Sequence, residues 1–282
     1  MNLWNILTAD VRLNPIASRH YFSRARFARE DARIRNFALR PLPDVQGFPP
    51  IGGAGPVLFA VADAGYFSRF ANMFVSSAAK FSPHSAVHIH VLGGHVDVPR
   101  FDHMPKHFAL TYEAADFSNM SSAEKGRTCQ CMRFVRLAQF VKSTTRDYVA
   151  FDIDGLFQKS FGDFKFESDV GLILRPEFAD AGLRVNAGVV FMRATPAAHA
   201  FMHSASTHML AHVQHAVFTE KLDQRCLAMA VTEAVKPLPP EIYTFEPGQG
   251  HFYSAKGKRK NEELRVVFEG IRGGEEIGAL SQ

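Results

Sequence analysis

The chain has only three cysteines in 282 residues, Cys129, Cys131 and Cys226, and a single tryptophan. So sparse and odd a set excludes a disulfide framework and points to a reducing compartment. Long hydrophobic runs are also missing, since nothing approaches the roughly 18 apolar residues of a membrane span. The opening residues Met1-Asn2-Leu3-Trp4-Asn5-Ile6-Leu7 lack the basic start and extended apolar run of a secretory leader. A cytoplasmic protein is expected on these grounds, and the Asn119-Met120-Ser121 sequon then carries little weight. No P-loop, GxGxxG or GxSxG motif is present, and there is no internal repeat or low-complexity tract.

What the chain does have is phenylalanine, 26 residues of it, within a hydrophobic content of 46% and a charged content of 21%. That balance belongs to a folded protein, with most of the Phe expected in a core or along ligand-pocket walls. Lysine is absent from residues 1–40, which hold eight arginines against Asp10, Glu30 and Asp31. The excess of this segment exceeds the +4 of the whole chain, so the remainder is slightly acidic. An Arg-rich stretch can touch an anionic membrane surface; the plainer expectation is a solvated helical face packed on the domain. Nucleic acid is not expected as a partner. Leu39 to Gly55 is rich in Pro and Gly and lacks a period, as a linker would be. Residues 1–50 thus read as an extension with its linker and 51–282 as one domain.

The domain alternates strand and helix patterns. Strands are predicted at Val57–Ala62, Val87–Leu92, His107–Thr111, Tyr148–Phe151, Val170–Leu174 and Ala187–Met192. Helices are predicted at Tyr66–Phe81, Glu124–Lys142, Pro196–His215 and Lys221–Val231. This order predicts an α/β fold, a mixed sheet flanked by helices. His199, His203, His208 and His212 are expected on an exposed helix face, and His84, His88 and His90 have no acidic partner nearby in sequence.

The residues that carry chemistry follow the strand Tyr148–Phe151: Asp152-Ile153-Asp154-Gly155. Two carboxylates one residue apart at a strand end build a negative field that a hard cation or a proton must relieve. Mg²⁺ or Mn²⁺ on one or two carboxylates keeps positions open for phosphate oxygens. The same tetrapeptide equally suits a plain turn, because Asp and Gly both favour turns. Ala62-Asp63 ends the first strand in the same way. Asp63 can accept from a nucleobase edge and Tyr66 can stack on it, or Asp63 can simply cap the following helix.

Taken in order, these segments resemble a GT-A glycosyltransferase of the family 8 type. Leu58-Phe59-Ala60-Val61-Ala62-Asp63-Ala64-Gly65-Tyr66 is similar to its uridine-binding start. Phe134-Val135-Arg136-Leu137 followed by Asp152-Ile153-Asp154 resembles its arginine helix and DxD strand. Val185-Asn186-Ala187-Gly188 resembles its Asn-Ala-Gly strand, and Leu222-Asp223-Gln224 its Asp-Gln pair.

The resemblance implies a GT-A fold and transfer of a sugar, with retention, from a UDP-sugar to an acceptor hydroxyl on a glycan, lipid-linked or protein acceptor. It assigns Ala62, Asp63 and Tyr66 to the uridine and Arg136 to the diphosphate or sugar. Asn186, Ala187, Asp223 and Gln224 fall to the donor sugar, and Asp152, Asp154 and a late His251 to Mn²⁺ (or Mg²⁺). Lys256 and Lys258 are the candidate diphosphate lysines. Ser254 stands where the family carries Gly, and its Lys-Pro-Trp ending is missing. Phe151-Asp152-Ile153-Asp154-Gly155 also resembles the nucleophile motif of haloacid-dehalogenase phosphatases, although Leu156 replaces the usual Thr. A nucleotide-sugar-binding protein without catalysis is the third alternative.

Overall fold

The computed structural model of the protein describes residues 29, 34, 38–161, 166–178, 180–255 and 260–273. Lys256 and Lys258 lie outside these residues, as does most of the Arg-rich extension. The chain divides into two compact units, each assembled from separate stretches. One comprises 1–42, 117–143 and 168–237, and the other 43–116, 144–167 and 238–282.

The second of these carries the aspartates. Its strands β1 (Val57–Asp63), β2 (Ala86–Leu92), β3 (His107–Glu113) and β4 (Tyr148–Phe151) lie in the order β3-β2-β1-β4, and every neighbouring pair is parallel. Every residue of β1, β2 and β4 is buried, which explains why β1 and β4 read as unbroken apolar runs rather than as alternations. Helix α1 (Ala64–Phe81) follows β1 directly and buries Phe67, Phe70, Ala71, Phe74, Val75 and Ala78 at helical spacing.

Beyond β4 the chain forms β5 (Leu156–Phe157). A three-stranded ribbon β5-β10-β9 is completed from much later residues, Tyr243–Thr244 (β9) and Phe252–Tyr253 (β10). Phe151, Phe157 and Phe252 pack with Phe74 at ring distances of 4.7–6.3 Å, and Phe161 joins Phe151 and Phe157. Much of the phenylalanine excess is spent here, on a wall behind the Asp-Ile-Asp turn.

The other unit holds β6 (Val170–Leu174), β7 (Val185–Met192) and β8 (Val235–Pro237) in the order β7-β6-β8. β6 runs antiparallel to β7, with a register shift between Leu172 and Ile173, and parallel to β8. Its helices are α2 (Ser122–Thr144), the short α3 (Ala181–Arg184), α4 (Pro196–Gln214) and α5 (Leu222–Met229). Thr195 caps α4, with Pro196 in its first turn. Helix α2 departs from its expected apolar face: Cys131 to Leu137 are buried around the whole circumference, Arg133 and Arg136 included. Arg40 exchanges hydrogen bonds with Gln214 at the end of α4. Together the strands and helices make an α/β protein of mixed strand direction. Among the described residues no helix is long and apolar enough to cross a membrane.

One histidine expectation is corrected. His212 is fully buried and its Nδ1 lies 2.8 Å from the Val217 carbonyl, so α4 does not present its histidines on one exposed face. His88 and His90 have no acidic partner nearby in sequence, as expected, but the β2–β3 register brings the distant Glu113 beside His90. Both rings meet the Thr111 hydroxyl, at 2.8 and 2.9 Å, and His90 Nε2 lies 3.6 Å from Glu113. Partners across a parallel ladder are distant in sequence, so a local scan does not see them.

Candidate functional site

In the order β3-β2-β1-β4 the chain winds outward from β1 in one direction and then returns to its other side. Such a reversal opens a crevice beyond the carboxyl ends of β1 and β4, the strands on either side of it, where open α/β sheets bind ligands. Ala60 pairs with Phe151, the last residue of β4, so Asp63 at the end of β1 and the Asp152–Asp154 turn after β4 both follow the carboxyl ends of paired parallel strands.

Asp63 is buried, and its Oδ1 accepts from the N–H groups of Gly65 at 2.7 Å and Tyr66 at 3.0 Å. It is therefore the N-cap of α1, the structural role open to it from the sequence. Tyr66, in the first turn, is 45% exposed. Burial raises its phenol above the ordinary tyrosine range. The Asp154 carboxylate adds to the rise, Lys260 and Arg69 oppose it, and Asp63 adds the least. The phenol therefore shares one electrostatic neighbourhood with both acids.

The chain bends at Ile153 and Asp154. Asp152 is half-buried, whereas Asp154 is buried and pairs with the Lys260 ammonium. Lys260 is the first residue of helix α6 (Lys260–Gly273). Gly155 is required at the bend, since a Cβ there would stand 2.3 Å from the Phe252 ring and 2.8 Å from the Tyr253 carbonyl. Turn and carboxylate pair are thus two descriptions of one feature, locked by the phenylalanine wall.

His251 sits just before β10. Its backbone N–H donates to Glu241, and its Nδ1 lies 2.8 Å from the Ser160 carbonyl. That contact selects the tautomer with hydrogen on Nδ1 and the lone pair on Nε2, the arrangement common to metal-ligating histidines. Among the described residues, however, no three His, Cys, Asp or Glu side chains are grouped to hold a metal ion.

The other unit gathers the remaining predicted residues. Arg133 donates to the Ala187 carbonyl at 2.8 Å and lies 3.8 Å from the Asp223 carboxylate, both partners buried. One turn further along α2, Arg136 is 1% exposed and donates to Gln139. Asn186 Oδ1 accepts from Gly188 N–H at 2.8 Å, turning the backbone after Ala187. Gln224, with its amide nitrogen toward them, donates to the carbonyls of Gly182 and Val185. Arg225 ties Asp180 at 3.1 Å and the Glu220 carbonyl at the same distance. Ala187 and Asp223 are therefore brought together by Arg133, while Gln224 braces the segment leading into β7 and Asn186 the start of the strand itself.

Sequence reasoning missed Lys260, Arg133 and Arg225. Arg133 precedes Arg136 by one helical turn, which was a usable signal. Lys260 is joined to Asp154 only through tertiary structure. No family model and no curated protein matches the chain.

Proposed function

We propose that the protein is a GT-A-type glycosyltransferase similar to family 8, moving a sugar from a UDP-sugar to an acceptor hydroxyl with retention. The observation that carries this reading is the placing of Asp63, Tyr66 and Asp154 in one neighbourhood at the carboxyl ends of β1 and β4. A nucleoside diphosphate suits such a place: Asp63 and the Ala62 backbone take the uracil edge, Tyr66 the face of the ring, and Asp152 the ribose.

The resemblance would set Asp152, Asp154 and His251 about a Mn²⁺ or Mg²⁺ ion, which would stabilise the charge of the departing diphosphate. The described residues do not compose that centre, because Asp154 is engaged by Lys260 and no three-ligand group is present among them. Arg136, Asn186, Ala187, Asp223 and Gln224 are assigned to the donor sugar, and Lys256 and Lys258 to the phosphates. The leaving phosphate itself accepts the proton of the acceptor hydroxyl on the same face.

Calorimetric titration with UDP tests the reading. Asp63→Ser keeps a capping hydroxyl but shortens the side chain. It is expected to retain the melting temperature and lose about tenfold in UDP affinity. Absence of UDP binding, or unchanged binding in both Asp63→Ser and Asp154→Asn, would refute the proposal. UDP-sugar binding without transfer or slow hydrolysis would reassign the protein as a binding module. Turnover of p-nitrophenyl phosphate with Mg²⁺ would instead favour the phosphatase chemistry.

A further inference from the structure

The Asp154–Lys260 pair joins residues 106 positions apart and is set in the crevice beside Tyr66. A lysine that only stabilised its helix would stand in the last turn, where the macrodipole favours cations. Lys260 instead opens α6, at the end where the dipole opposes it, with Glu262 and Glu263 following in the first turn. Its ammonium reaches away from the helix to a carboxylate side chain that is 12% exposed, while its own side chain remains 27% exposed. The charge is held on Asp154 yet accessible from solvent. An ammonium has three N–H donors, and one on Asp154 leaves two for another anion. Phosphate oxygens are strong acceptors for such donors.

We propose that Lys260 is the chain's own cation at this site. It neutralises Asp154, keeps divalent ions off that carboxylate, and offers its remaining donors to the diphosphate of the bound nucleotide. The nucleotide part rests on the glycosyltransferase reading, whereas the exclusion of divalent ions from Asp154 does not.

Two titrations on the full chain separate these parts. In the first, UDP binding is measured calorimetrically in EDTA and in Mn²⁺. Wild type is expected to bind with affinities within about twofold of each other. Lys260→Met should lose about tenfold in EDTA, and Lys260→Arg should keep most of the affinity. A strict Mn²⁺ requirement in wild type, or wild-type affinity of Lys260→Met in EDTA, overturns the proposal.

In the second, Mn²⁺ alone is titrated and followed by electron paramagnetic resonance. Removing the ammonium in Lys260→Met should raise Mn²⁺ affinity about tenfold over wild type, and adding Asp154→Asn should abolish the gain. Equal Mn²⁺ affinity in wild type and Lys260→Met overturns the exclusion of metal whether or not UDP binds. Failure of UDP to bind under every condition defeats the glycosyltransferase reading and the phosphate role of Lys260, and the Mn²⁺ comparison then decides the exclusion by itself. Lys260→Arg, which retains the charge, serves throughout as the folding control.

Discussion

His88 shows how a single buried side chain ties this fold to pH. Its ring is fully buried between Phe59, Tyr148 and the Thr111 hydroxyl, with His90 and Glu113 on the same network. Desolvation lowers its pKa to about 3. The unfolded chain therefore takes up a proton below about pH 6.5 that the folded chain refuses until about pH 3. Stability contributed by neutral His88 is complete above that window and is lost as pH falls through it. Between pH 7 and 5, wild type is expected to lose about 2 kcal/mol more than His88→Gln, read from urea unfolding at the two pH values. An equal loss in both proteins would mean that His88 is protonated in the native state.

Gly155 makes a second prediction at this scale. Gly155→Ala must push its methyl against the Phe252 ring and the Tyr253 carbonyl. A loss of about 1–3 kcal/mol in unfolding free energy is expected. The roles of Asp63 and Gly155 as helix cap and turn residue were legible in the sequence, because capping and turn preferences are local. The ion pair of Asp154 was not, because Lys260 approaches through the fold and not through the chain.

Among elements, the six predicted strands and four predicted helices all form, with ends displaced by a few residues. Buried parallel strands and long helices announce themselves by apolar runs and by period. The misses are the pieces too short to show a period: β5, β8, β9, β10 and α3. Helix α6 was also missed; its buried face of Leu264, Val267, Phe268 and Ile271 lies among charged residues near the end of the chain.

Such short pieces are held by specific hydrogen bonds rather than by repetition. The buried hydroxyls of Ser77, in α1, and Ser82, just after it, accept from the backbone N–H groups of Phe157 at 3.1 Å and Phe161 at 2.8 Å. Two backbone donors beyond the Asp-Ile-Asp turn are satisfied this way. Ser77→Ala leaves the Phe157 N–H buried without that acceptor, at a cost of about 1–3 kcal/mol. Hydrogen exchange should show faster exchange at Phe157, with β1 and β2 still protected. Unchanged exchange at Phe157 would show that the hydroxyl does not hold this turn.

For the molecule as a whole, the reading of residues 1–50 as an extension meets two facts. Ile34 is only 1% exposed, and Arg40 is bound to Gln214. A chain deleted of residues 1–38 loses the buried Ile34 side chain, worth about 1.5–3 kcal/mol. Its melting temperature should fall by several degrees, at about 2–4 °C per kcal/mol for a chain near this size. Sedimentation with anionic vesicles tests the proposed membrane contact on the same pair of proteins. Equal partitioning of the two would remove residues 1–38 from any membrane role.

The order in which the chain is made gives the Asp154 turn a further property. Its aromatic wall needs Phe252 and its charge partner is Lys260, so the turn emerges from the ribosome about a hundred residues before either arrives. Until then the wall lacks the Phe252 ring, Asp154 lacks Lys260, and the residues of β5 have no β10 to pair with. The candidate site is therefore among the last parts of the protein that can close. A chain halted before residue 250 can hold β1 to β4 and still lack a finished crevice. Activity would then report completion of the polypeptide more strictly than secondary structure does.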